Sequence, residues 1–168
     1  MAEDAGATRF RGLRLAMDDA SAVHEAAALF PAIFQVAPSL SRGARFEFRG
    51  GWVQADVAQG DALDVRCGDL AAQCRHLHRL GIQALDGAEL GCTPCLRLDA
   101  FDTGAAAVNL REGDGDGGDE RHAAAPSVAL NGLQLAVMAP ERVALHWAQL
   151  FHAPPLRDGQ GLPRLGLG

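Results

Sequence analysis

The chain has no lysine and no tyrosine, and all 15 of its basic residues are arginine. These absences exclude a lysine Schiff base, a phosphate-loop lysine, and a tyrosine acid or nucleophile. Aromatic residues make up only 5% of the 168 positions (seven Phe, two Trp), although 48% of the chain is apolar. No run approaches the roughly 18 apolar residues of a membrane span. The opening MAEDAGATRF has neither the basic nor the apolar region of a secretory signal. The expectation is therefore a reducing cytoplasm, in which Cys67, Cys74, Cys92 and Cys95 form no disulfide. The Ala-, Gly- and Arg-rich usage points to a GC-rich bacterial genome.

The formal charge is −6, from 21 acids against 15 arginines. Phosphate backbones require a basic surface, so nucleic acid is not the expected partner. The acidic tract Glu112–Glu120 is interleaved with glycine and reads as a solvated loop.

The length suits one domain of ordinary size with an appendage. Residues 1–9 read as a tail. Leu13–Met17 alternates as a strand, and Asp18, Asp19 and Ser21 precede a helix with Val23, Ala26, Ala27, Leu29 and Phe30 on one face. Pro31 is expected to end it or to sit near its end, with a further short strand as an option near Ile33–Val36. Arg45–Arg49 and Trp52–Val57 read as a hairpin about Gly50-Gly51.

The pattern then restarts. Leu63–Cys67 is a strand, and a helix follows from Gly68-Asp69 with Leu70, Cys74, Leu77 and Leu80 inward, ending at Gly81. Cys95–Phe101 and Ala107–Arg111 read as strands joined at Asp102-Thr103-Gly104. Residues 113–126 have the composition of a linker. A third start then gives a strand at Leu133–Val137, a helix from Pro140 through Phe151, and a strand-like Arg164–Leu167. The expected organisation is paired modules over 10–112 (10–60 and 61–112) and a partial third over 127–168.

The segments FRGLRLAMDD, DALDVRCGDLAAQCRHLHRLGI, DAFDTGAAAVNL and LNGLQLAVMAPERVALHWAQLF carry this repetition. In their order they resemble the vicinal oxygen chelate superfamily: glyoxalase I, bleomycin-resistance proteins and extradiol dioxygenases. The resemblance implies an α+β fold in which tandem βαβββ modules form an open mixed-sheet barrel around a cleft. It also implies a homodimer. Metal-dependent members place His or Glu at the start of each module's first strand and on each last strand. The corresponding positions here are Gly12, Ala62, Asp56 and Asn109, with Gly132 opening the third module. Glycine and alanine cannot ligate a divalent ion, which needs three or four N or O donors. No metal and no cofactor is therefore expected. A shift of two residues would offer Arg14 and Asp64 instead and does not rebuild such a site.

Strand parity places Leu13, Leu15 and Met17 under a helix and turns Gly12, Arg14 and Ala16 to the cleft. The same alternation turns Asp64, Arg66, Gln54, Asp56, Asn109 and Arg111 to it. Arg14, Gln54, Asp56, Asp64, Arg66, Asn109 and Arg111 are thus the candidate ligand-binding residues. Arginine's planar fork suits a carboxylate or phosphate. The alternative is that these arginines pair with the neighbouring acids or form a subunit contact. Trp52, Phe46, Phe48 and Phe101 are the expected apolar walls. Glycine at Gly12 and Gly132 fits close approach by a ligand or strand, or drift after loss of a metal.

Cys92-Thr93-Pro94-Cys95 is a lone C-x-x-C before a strand, an unusual place for a redox motif, and no second copy completes a zinc site. Cys67 and Cys74 read as small core residues. All histidines but His122 (His24, His76, His78, His146, His152) fall on or beside helices, and His76 and His78 diverge. Trp147 reads as core, with His146-Trp147 as the alternative contact surface. No catalytic residue is assigned. Three functions follow: metal-free binding of a polar or anionic small molecule; a lyase, isomerase or dioxygenase-like enzyme with Asp56 or Asp64 as base; or an assembly module whose unfinished third unit is completed by another chain.

Overall fold

Alternating side chains in the first 60 residues build three strands around one helix, and residues 62–112 add four strands and two helices. The structure is a computed structural model and describes residues 8–40, 43–57, 60–86, 94–113 and 128–167. The elements run β1 (Arg9–Met17), α1 (Ala20–Phe34), β2 (Ala44–Phe48), β3 (Gly51–Val57), β4 (Ala62–Cys67), α2 (Leu70–Arg79), β5 (Leu85–Asp86), β6 (Cys95–Leu98), α3 (Ala100–Thr103), β7 (Ala107–Glu112), α4 (Pro140–Phe151), β8 (Pro155–Arg157) and β9 (Pro163–Leu165). The fold is α+β. The chain divides into two compact units: Arg11–Asp64 with Asp116–Leu133, and Met1–Phe10 with Val65–Gly115 and Gln134–Gly168. These are the first and second units below.

In the first unit the strand order is β2-β3-β1-β4. β1 runs parallel to β3 and β2 antiparallel to it. The β2–β3 hairpin turns through Arg49-Gly50, and Gly50 adopts φ +94, a conformation that suits glycine. Asp19 caps α1 by accepting from the Ala22 N–H at 2.9 Å. Leu13, Leu15 and Met17 pack toward α1 with Phe46, Phe48, Val53, Phe30 and Phe34, as parity predicts. Phe34 meets Phe46 and Phe48 edge-on, with ring centroids 5.7 and 5.3 Å apart.

Two expectations here are corrected. Phe46 and Phe48 are not cleft walls, since both lie in the helix-side core. The short strand near Ile33–Val36 does not form: α1 runs on through Pro31 to Phe34, with the proline near the helix end as expected. Pro31 sits in the last turn, and its carbonyl accepts from the Gln35 N–H that closes the helix. A proline in that position removes one helical hydrogen bond without forcing a stop.

In the second unit the order is β4-β7-β6-β5, with β6 antiparallel to both β7 and β5. Asp69 caps α2 through the Ala72 N–H at 2.7 Å. The buried stripe of α2 is Leu70, Gln73 and Leu77; Cys74 and Leu80 are exposed, contrary to expectation. Gln73 can lie inward because its amide donates to the Leu150 carbonyl at 2.6 Å. The expected strand over 95–101 stops at Leu98, where Asp99 caps the short helix α3 through the Phe101 N–H. Phe101 is consequently 91% exposed and is no wall. Neither unit's strand order returns on itself.

Leu133–Val137, expected as a strand, joins no ladder, and Leu133 and Leu135 are exposed. α4 forms as expected and buries Ala144, Trp147, Leu150 and Phe151 within the second unit. β8 and β9 pair as a hairpin, which Arg157 ties to Glu141 of α4 by two hydrogen bonds of 2.9 and 3.0 Å. The linker expected over 113–126 lies outside the described residues apart from Gly113, as does His122. Among the described residues, no helix is long and apolar enough to cross a membrane.

Candidate functional site

Each unit turns one sheet face away from its helix. In the first unit the register sets Gly12 beside Trp52, Arg14 beside Gln54, and Ala16 beside Asp56. β2 adds Arg45 beside Gln54 and Glu47 beside Trp52. Arg14 reaches Asp56 at 3.6 Å and Asp64 at 3.9 Å. Gln54 donates to Asp56 at 3.3 Å. Arg45 pairs with Glu47 and stacks over the Trp52 ring, 4.4 Å from its centroid. The structure therefore brings Arg14, Gln54, Asp56 and Asp64 together, as expected.

Two guanidinium groups here meet three carboxylates, so the arginines are matched within the face. Asp64 is only 2% exposed and Gln54 5%, so neither presents itself to solvent. Trp52 lies on this face but is no open platform. Arg45 covers one side of its ring, and the other side fills the space beside Gly12. The close approach expected at Gly12 is thus made by the neighbouring strand. Gly132, by contrast, has nothing within 4 Å of where a Cβ would stand.

In the second unit, pairing places Cys95 beside Arg111, Arg97 beside Asn109, and Leu85 beside Arg97. Leu96, Leu98, Val108, Leu110 and Asp86 alternate to the opposite face, as does Glu112. Cys67 lines a cavity with residues of α2, so Arg66, its neighbour on β4, points to the face away from that helix. The strands thus carry Arg66, Arg97 and Arg111 on one face with Asn109, and Asp64 lies on that same face of β4, two residues before Arg66. The three arginines are half-buried, and Asn109 is buried. The Asn109 side-chain oxygen accepts from the Arg97 guanidinium at 3.3 Å. Arg66 and Arg111 have further interactions of their own.

Arg97 was not among the expected ligand-binding residues. Its signal is the internal repeat: Arg97 faces Asn109 as Arg45 faces Gln54.

The remaining candidates separate on geometry. Cys95 is disulfide-bonded, which corrects the expectation of free thiols throughout; Cys67 and Cys74 are free. Cys92 and Thr93 lie outside the described residues. Cys67 is buried, and its thiol is pushed up to about 11, first by burial and then by Glu112 and Asp69. Trp147 is core, and its indole donates to the Thr103 carbonyl at 2.7 Å. His146 donates to the Asp102 carbonyl at 2.7 Å. Among the described residues, no three of His, Cys, Asp and Glu are grouped so as to hold a metal ion. No family model matches the chain, and no curated protein matches it in sequence.

Proposed function

We propose that the protein binds a small anionic molecule, without catalysing its conversion, on the arginine face of the second unit. Arg66, Arg97, Asn109 and Arg111 are the contact residues. The observation that supports this reading is the grouping of Arg97, Asn109 and Arg111 by the β6–β7 register, with Arg66 on the same side of β4. Three guanidinium groups grouped on one strand face offer planar donor forks to a carboxylate or phosphate. Arg14, Gln54, Asp56 and Asp64 then serve as a polar brace that holds β1, β3 and β4 in register. Asp56 and Asp64 both face Arg14, which favours pairing over a role as general base.

This reading places the chain beside the bleomycin-resistance type within the vicinal oxygen chelate superfamily, whose members bind without chemistry. Tandem βαβββ modules curving around a cleft, and assembly as a homodimer, belong to the same proposal. The repeated strand-helix-strand-strand order and the glycine and alanine at the ligand positions support it.

Thermal unfolding with inorganic phosphate, oxalate and citrate, against neutral sugars, tests it. An anion that binds the folded state at 100 times its Kd stabilises by about 2.7 kcal/mol. The expected outcome is a concentration-dependent rise in Tm with at least one anion and none with the sugars. No rise with any anion, at ionic strength held constant, contradicts the proposal.

A further inference from the structure

On the helix side of the second unit, two histidines from different helices stack. The rings of His76 in α2 and His152 at the end of α4 have centroids 3.9 Å apart and are tilted by 41°. His76 lies three residues after Gln73 on the same helical face. Both reach the last turn of α4: Gln73 donates to Leu150 O at 2.6 Å, and His76 Nε2 donates to Gln149 O at 2.7 Å. The end of a helix leaves such carbonyls without helical partners. Side chains of α2 thus complete the C-terminus of α4. His152 itself is in the left-handed region at φ 51 and closes α4. The Ala153 N–H bonds Ala148 O at 3.2 Å beside it.

A cavity of about 200 Å³ opens at this junction, lined by Cys67, Gly68, Asp69, Ala72, Gln73, His76, Arg79 and His152. The titratable groups around His152 are therefore His76 and Arg79 from α2, Asp69 from the turn before it, and Cys67 from β4. Asp69 is occupied as the cap of α2, and Cys67 is buried. The groups nearest His152 are thus cationic or become so in acid.

We propose that the His76–His152 stack is a pH-sensitive clasp that holds the end of α4 on α2 near neutrality and loosens in acid. Two rings at this separation accommodate one proton between them, but a second sets like charges in contact. The His76 bond to Gln149 O survives protonation of His76, because imidazolium still donates there. The stack itself is what the second proton breaks. Burial, then His76, then Arg79 lower the proton affinity of His152 below its ordinary 6.5. The unfolded chain binds that proton more readily than the folded one. This contribution to stability is therefore present above pH 6.5 and is lost as the pH falls from there through the lower value His152 has in the folded chain.

Histidine NMR titration of the full chain tests the clasp, alongside exchange protection of the Ala153 amide. In the wild-type protein His152 titrates below 6.5, and Ala153 protection falls as the pH drops. His76→Gln keeps a donor for Gln149 O but removes the ring. It is expected to move the His152 midpoint up toward 6.5 and to flatten the acid loss of protection. An unchanged His152 midpoint in His76→Gln overturns the proposal. If that variant does not fold, His152→Asn serves, since asparagine tolerates the left-handed conformation. Its Ala153 protection should then no longer fall in acid; a fall equal to that of the wild type overturns the proposal.

Discussion

The indole of Trp52 occupies the space that any side chain at Gly12 would need. A Cβ built on Gly12 would lie within contact distance too short for any real atom of the Trp52 ring. The two residues are direct partners in the β1–β3 ladder, and Arg45 closes the opposite side of the ring. No side chain larger than hydrogen fits at position 12 beside the Trp52 ring. The residue is small because a neighbour fills its space.

Gly12→Ala is therefore expected to destabilise the fold by ~1–3 kcal/mol through overpacking. Trp52→Ala leaves a cavity and costs more, ~3–5 kcal/mol. In the Trp52→Ala background, adding Gly12→Ala should cost much less than it does alone, because the clash is gone. Chemical denaturation of the four proteins in the cycle measures this.

Arg14 faces Asp56 and the nearly buried Asp64. Arg14→Met removes a charge partner from a buried carboxylate, and a loss of ~1–3 kcal/mol is expected. Asp56→Asn, at a more exposed carboxylate, should cost less than ~1 kcal/mol. Equilibrium unfolding in urea ranks the two; equal effects would deny Asp64 its dependence on Arg14.

Trp147 closes the end of α3 through its indole N–H. Trp147→Phe keeps most of the buried ring but leaves the Thr103 carbonyl without that donor. A destabilisation of ~1–3 kcal/mol is expected, measured by the shift in denaturation midpoint at constant m-value.

The two free thiols should differ in reactivity. Cys74 is exposed, whereas Cys67 is buried with its thiol raised from 9.0 to about 11. Two units correspond to roughly 100-fold less thiolate at neutral pH, before access is considered. A thiol-reactive disulfide should label Cys74 in a fast phase and Cys67 only slowly, with Cys74→Ser abolishing the fast phase.

The faces of the strands were legible in the sequence because period-two alternation has one solution when a helix covers one side. Leu13, Leu15 and Met17 went in, and Arg14 went out. Asp19 and Asp69 were legible as helix starts for a similar local reason. Phe46 and Phe48 were misplaced although the same alternation, opposite Arg45 and Glu47, put them on the helix side. Alternation could not reveal whether a strand finds a partner, so Leu133–Val137 has the pattern without the ladder. Gln73 was passed over for Cys74 because its burial depends on the Leu150 carbonyl, a partner 77 residues away. The grouping of Arg97 with Arg111 and Asn109 needed the register. Only pairing shows that Asp86 and Glu112 alternate away from Arg97 and Arg111.

Calorimetric titration of an anion that raises the Tm, into wild type and single variants, tests the central claim most directly. Arg66→Ala and Arg111→Ala are expected to weaken binding at least ~10-fold, about 1.4 kcal/mol each. Arg14→Met should leave the affinity unchanged while lowering stability. Binding that is indifferent to Arg66 and Arg111, or that is lost with Arg14, contradicts a site on the second unit's arginine face.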